Sequence, residues 1–204
     1  MRTGLGMNTN KSIFCVLTLF FVGSVMVYGQ SIQFKILNGG EEIGHIVAKK
    51  ETLNYKTTYD IVSKASFRVF FQYVRETSMK VVWHSGNFES SETKQLMNEE
   101  LKEHRVTKQG NAGYDCFKIL EEEKFSLTTP IKFCSSMLYF EEPKGYSHIF
   151  AESYQELCPL ELIAPGIYKL TLPQGKVNHY VYKNGVLQEI RVFRTMVDLV
   201  FKRV

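Results

Sequence analysis

From Phe67 to Trp83 the chain alternates. The odd positions are Phe67, Val69, Phe71, Tyr73, Arg75, Thr77, Met79, Val81 and Trp83, while the even ones include Arg68, Gln72, Glu76, Ser78, Lys80 and His84. A period of two over so many residues belongs to a sheet with one face buried and one face in water. As a single strand the run would span about 55 Å at about 3.3 Å per residue. It must therefore bend. Either a bulge falls near Arg75-Glu76 or the run is two successive strands.

The remainder reads the same way. Ser31 to Leu37 leads into the turn residues Asn38-Gly39-Gly40, and Ile43 to Lys50 runs back. Tyr55, Thr57, Tyr59 and Ile61 alternate with Lys56, Thr58 and Asp60. Asn87–Leu96 and Glu99–Thr107 flank a short turn, and Tyr114–Leu120 follows a glycine-bounded one. Near the end come Tyr168–Leu172, Val177–Tyr182, Val186–Phe193 and Val197–Arg203. Asn184-Gly185 is a hairpin dipeptide, because both central residues of a type I′ turn need positive φ. The fold class expected is all-β: a strongly curved antiparallel sheet or half-open barrel of eight to eleven strands. Residues 130–165 break the pattern. They hold an expected one- or two-turn helix near Ile131–Phe140 and read as a plug or lid for the open side.

The first 29 residues have a different character. Lys11 precedes the apolar run Ile13–Val22, and small residues lead to Gly29-Gln30. A charged start, an apolar stretch and a small-residue exit describe a signal peptide cleaved near Gly29-Gln30, with Met1 or Met7 as the start. The apolar stretch is shorter than the roughly 20 residues of a membrane span, so no transmembrane anchor is expected in the mature chain. Residues 30–204 then form a single domain, exported to the periplasm or the medium. These 175 residues are enough to bury about 70% of the unfolded surface. The whole chain carries a net charge of +4; the leader holds Arg2 and Lys11 and no acid, which leaves +2. No clustered basic face is present, only Lys49-Lys50 and Lys202-Arg203, so a nucleic-acid partner is not expected. No N-x-S/T glycosylation acceptor follows residue 30, which fits a bacterial exported protein.

Cys116, Cys134 and Cys158 remain after the leader. An oxidising compartment permits disulfides. Cys134 with Cys158 is the favoured pair, because both flank the irregular region; the alternative is three buried free thiols. Zinc is not expected, since the cysteines and histidines lack ligand spacing, and no cofactor is implied.

Catalytic patterns are sparse. His148 and Glu152 would share a face if their segment is helical, and a surface hydrogen bond is the simpler account of them. Glu121-Glu122-Glu123 and Glu141-Glu142 are consecutive, so in a strand they point to opposite faces and do not converge. No G-x-S-x-G, H-E-x-x-H or phosphate loop occurs. The sequence supplies no ground for an enzyme. Aromatic content is higher: fifteen Phe, eleven Tyr and one Trp. Phe67, Phe71, Tyr73, Trp83 and Tyr168 are the candidate lining of a pocket for an apolar small molecule or lipid; the alternative is ordinary core.

Ile36-Leu37-Asn38-Gly39-Gly40-Glu41-Glu42-Ile43-Gly44, Leu138-Tyr139-Phe140-Glu141-Glu142-Pro143, Phe150-Ala151-Glu152-Ser153-Tyr154 and Tyr182-Lys183-Asn184-Gly185 together resemble an uncharacterised Bacteroidetes-type secreted family, domain of unknown function 6134. More distantly the layout is similar to periplasmic half-barrels that carry lipoproteins or lipids. The resemblance implies a β domain without assigned catalytic residues. Two functions are therefore expected in competition. One is a periplasmic binding or carrier module for an apolar ligand. The other is a structural or protein-interaction domain of the cell envelope, filled by its own side chains and meeting another envelope protein on its outer face.

Overall fold

A computed structural model of the chain describes residues 28–68, 72–194 and 198–204. Fourteen strands follow one another: β1 Tyr28–Asn38, β2 Glu41–Leu53, β3 Lys56–Arg68, β4 Gln72–His84, β5 Asn87–Met97, β6 Glu100–Gly110, β7 Gly113–Lys118, β8 Glu123–Leu127, β9 His148–Ala151, β10 Glu156–Ala164, β11 Ile167–Thr171, β12 Val177–Lys183, β13 Val186–Phe193 and β14 Leu199–Arg203. All are antiparallel and form one sheet in the order β8-β7-β6-β5-β4-β3-β2-β1-β14-β13-β12-β11-β10-β9. Every neighbour in space is a neighbour in sequence except β1 and β14. The sheet curls but does not close, so β8 and β9 are its two edges.

Two-residue turns set the register. Gly39-Gly40, Asn54-Tyr55, Ser85-Gly86, Asn98-Glu99 and Asn184-Gly185 each have positive φ at both residues. That twist matches the twist of the strands they join. Register shifts at Ile36/Leu37, Val82/Trp83 and Gln95/Leu96 insert bulges, which bend a sheet locally. At the first of them, a Cβ on Gly44 would lie 2.1 Å from the Lys64 carbonyl oxygen. Only glycine lets β2 and β3 approach so closely there.

The long alternating run is two strands. β3 ends at Arg68 and β4 begins at Gln72, with Phe67 opposite Tyr73 and Ala65 opposite Arg75. Odd residues thus face odd residues, so the period of two passes unbroken through a hairpin. The expected bulge at Arg75-Glu76 is absent from the β3–β4 register. The strand count exceeds the expected eight to eleven. The three beyond eleven are β8, β9 and β10, which lie in segments whose alternation is too short to read; the Phe67–Trp83 run only shifts the β3–β4 boundary.

The inner face of the sheet carries the core. Phe34, Ile36, Ile46, Ile61, Val81, Leu170 and Ile190 are all buried. Residues 131–155 fill one end of the curl, as the plug reading expects, with a 3₁₀ turn over Ser135–Tyr139. Phe34 meets Tyr139, Tyr59 meets Phe140, and Phe88 meets Phe150, with ring centroids 5.5–5.7 Å apart.

Two expectations fail in this region. Cys134 and Cys158 are not bridged; all three cysteines of the domain are free and buried. Cys134 pairs with Phe150 on one side of β9, and Cys158 pairs with Ile149 on the other. The two thiols are therefore two strand spacings apart, about 10 Å, and their registers lie on opposite faces of β9. A disulfide needs Cα atoms within about 7 Å. His148 and Glu152 do not share a helix face either, because His148–Ala151 is strand.

The expected leader lies almost wholly outside the described residues. Tyr28 and Gly29 are described, and they pair with Thr52 and Glu51 at the start of β1.

Candidate functional site

The plug is held by polar contacts from its middle, at Leu138, Glu141 and Glu142, and from its last residues, at Glu152 and Gln155. Glu141 accepts from Lys50 Nζ at 2.6 Å and from the Tyr59 hydroxyl at 3.3 Å. The Tyr168 hydroxyl donates to Glu142 at 3.1 Å, and the Tyr182 hydroxyl to the Leu138 carbonyl at 2.6 Å. Deeper in, the Glu152 carboxylate has 0% exposure. It accepts the backbone N–H groups of Ser135 at 3.0 Å and Ser136 at 2.9 Å, and the Ser135 hydroxyl. These are the free donors that open the 3₁₀ turn, so a buried carboxylate is matched to them. Gln155, at φ +57°, donates its side-chain amide to the Val106 carbonyl and to Thr107 Oγ1, both at 3.0 Å.

Beyond the plug the curl stays open. A groove of about 570 Å³ runs along the inner face, a size typical of small-molecule sites. Its floor is apolar: Ile36, Ile46, Ile61, Met79, Leu170, Val192 and Phe201 line it. Tyr139 and Tyr180 stand where the floor meets the plug. Toward the end where β3 runs into β4 the lining turns polar and basic, with Ser63, Thr77, Gln95, Arg75, Arg105, Lys118, Lys176 and Arg194, and with Glu103 and Glu156 among them.

The aromatic candidates of the sequence lie elsewhere. Phe67 and Tyr73 stack at 5.7 Å on the inner-face register but do not line the groove. Trp83 is buried at the plugged end against Phe88, with its indole N–H lacking a partner among the described residues. Tyr168 borders a second hollow of about 490 Å³ with Glu142, Tyr146 and Leu162. Phe71 lies outside the described residues. The apolar groove floor was within reach of the alternation pattern, since Ile61 and Met79 share its parity. The basic rim was passed over, although Arg75 stood in the inward-facing series.

The reactive groups here are held in their protonated forms. Burial pushes the Tyr180 hydroxyl up to about 12 and drives those of Tyr139 and Tyr182 further in the same direction. Burial, with the neighbouring Glu152 charge, pushes the Cys134 thiol well up, and Cys158 is raised to about 11, chiefly by burial. A thiol in that state is a weak nucleophile at neutral pH. Arg194 is displaced the other way: burial lowers it and the Arg75 charge adds to that, while Tyr154 and Tyr180 act against it. Among the described residues no three His, Cys, Asp or Glu side chains gather as a metal site.

The family model described as domain of unknown function DUF6134 matches residues 34–204. No curated protein matches the chain. Among solved structures, the crystal structure of a beta-barrel-like protein of domain of unknown function DUF1849 from Brucella abortus is similar in fold. It shows 12% identity and a TM-score of 0.54, over 89% of this chain and 98% of that one.

Proposed function

For a chain that belongs to the DUF6134 family, we propose a binding or carrier function in which the open groove shelters an apolar ligand. The observation that carries this reading is the groove itself. The sheet does not close over its core, and beside a plug that fills only one end it leaves an open groove whose floor is apolar, mostly buried in the sheet and part-exposed at Met79 and Phe201. A concave apolar lining with a few polar groups is the usual form of a ligand site. The leader-like first 29 residues support work outside the cytosol, in the periplasm or medium. The competing reading, an envelope interaction domain with a filled interior, agrees with the plugged end but leaves the groove unexplained.

A neutral dye that brightens in apolar surroundings, N-phenyl-1-naphthylamine, tests the reading. The intact protein should bind it saturably. Met79→Trp on the groove floor should weaken binding at least several-fold, and Lys80→Trp on the outer face should leave it unchanged. Absence of saturable binding, or equal effects of the two substitutions, overturns the proposal.

A further inference from the structure

We infer that the groove selects a single-chain amphiphile with an anionic head, which sits between Arg75 and Arg194 while its chain runs along the floor. This inference rests on the binding reading above and specifies the ligand's chemical class.

The argument starts from unpaired charge. Five cationic side chains line the groove. Arg105 is engaged by Glu121 and Lys118 by Glu123. Arg75 and Arg194 form no ion pair among the described residues. Arg75 donates to the neutral Gln95 side chain. Arg194 donates to three neutral oxygens: the Val177 carbonyl at 3.2 Å, Asn178 Oδ1 at 3.1 Å and the Phe193 carbonyl at 2.6 Å. Lys176 lies over the Tyr154 ring, 5.5 Å from its centroid.

Such an arrangement favours an anion. Arg194 is partly buried, and the charge of Arg75 reaches it. Two guanidinium groups that repel at the mouth of a low-dielectric groove gain from any anion placed between them. A planar guanidinium also matches a carboxylate or phosphate with paired N–H donors. The groove carboxylates Glu103 and Glu156 do not satisfy this need, since neither is bonded to Arg75 or Arg194.

The chain end follows from the floor. Ile61 and Met79 pair across β3 and β4 four residues, two same-face positions, inward of Ala65 and Arg75. Val192 leads along β13 to Arg194 in the same way. A ligand anchored at the two arginines therefore extends directly over apolar side chains toward Tyr139. The volume suits one acyl chain; a two-chain lipid would leave a chain in water.

The test displaces N-phenyl-1-naphthylamine from the intact protein with four twelve-carbon compounds: dodecanoate, dodecyl phosphate, dodecanol and dodecyltrimethylammonium. At least one of the two anions should compete at concentrations tenfold or more below dodecanol, and the cation should be weakest. The stronger of the two anions identifies the head as carboxylate or phosphate. Arg75→Gln with Arg194→Gln should remove the anion advantage while dye binding persists. Arg75→Gln alone, at the more open side, gives a partial loss if the double variant misfolds. Equal competition by the anions and dodecanol, or an anion advantage that Arg75→Gln leaves undiminished, overturns this inference and leaves the binding reading standing. Failure of the dye to bind overturns both.

Discussion

The side-chain nitrogen of Gln155 lies 3.0 Å from the backbone carbonyl oxygen of Val106, 49 residues away in sequence. Through it the plug is tied to the β6–β7 side of the curl. Gln155 is 1% exposed, and its amide also reaches Thr107 Oγ1. Gln155→Ala should cost about 2 kcal/mol, because a buried hydroxyl and carbonyl lose their donor and a void is left. Urea denaturation followed by Trp83 fluorescence measures it, and a change below a few tenths would show that the tie contributes nothing.

Glu152 offers a sharper case. Glu152→Gln keeps the shape but puts an NH₂ where an acceptor faces the donors of Ser135 and Ser136. The expected loss is about 2–4 kcal/mol, the range for a buried charged acceptor replaced by a clashing donor. The same denaturation experiment reads it, and Glu156→Gln, which lacks those contacts, is the control.

Alkaline stability follows from the tyrosines. Tyr59, Tyr139, Tyr180 and Tyr182 have raised folded values against an ordinary 10.0, with Tyr180 at about 12. A raised value favours the protonated group in the fold. The stability it confers is complete below pH 10 and is lost as the pH rises from 10 through 12 and beyond. Absorbance at 295 nm should therefore show tyrosines that ionise late and together, in step with loss of the folded signal. Four independent, reversible ionisations near pH 10 would contradict the burial.

The free thiols are open to direct measurement. Cys116, Cys134 and Cys158 should resist a thiol reagent in the native protein and react without reductant once it is denatured. Peptide mapping that shows Cys134 bridged to Cys158 would require β9 to leave its place between them.

The sequence announced the sheet more clearly than the site, for physical reasons. Alternation is a local signal, and it marked Ile61, Met79, Val81 and Trp83 as one face. Asn184-Gly185 likewise declared its turn through the φ angles it needs. Strand number was harder, because a hairpin that pairs odd residues with odd residues leaves no seam in the pattern. The groove was harder still. Phe67 and Trp83 share the inward register, yet Trp83 is packed against Phe88 near the plug and Phe67 stacks on Tyr73 outside the groove lining. Which length of an inner face stays open depends on where residues 131–155 pack, and that is settled by long-range contacts such as Tyr182 with Leu138. Glu152 read as part of a surface hydrogen bond, and Gln155 gave no signal at all, because their partners are 16 to 49 residues distant. Arg75 did leave a trace: a charge in an inward series has to be accommodated somehow.

The pairing of β1 with β14 has a consequence for how the molecule comes into being. Every other ladder joins strands adjacent in the chain and can form as soon as its hairpin exists. This one, from Phe34 opposite Arg203 to Asn38 opposite Leu199, must wait for about 160 further residues and a slow, entropically expensive closure. Until then the chain holds two separate meanders, with β1 and β14 as raw edges open to pairing with other molecules. A helper that shields either edge, or a passage that delivers the whole chain before folding begins, would govern yield more than any residue of the groove.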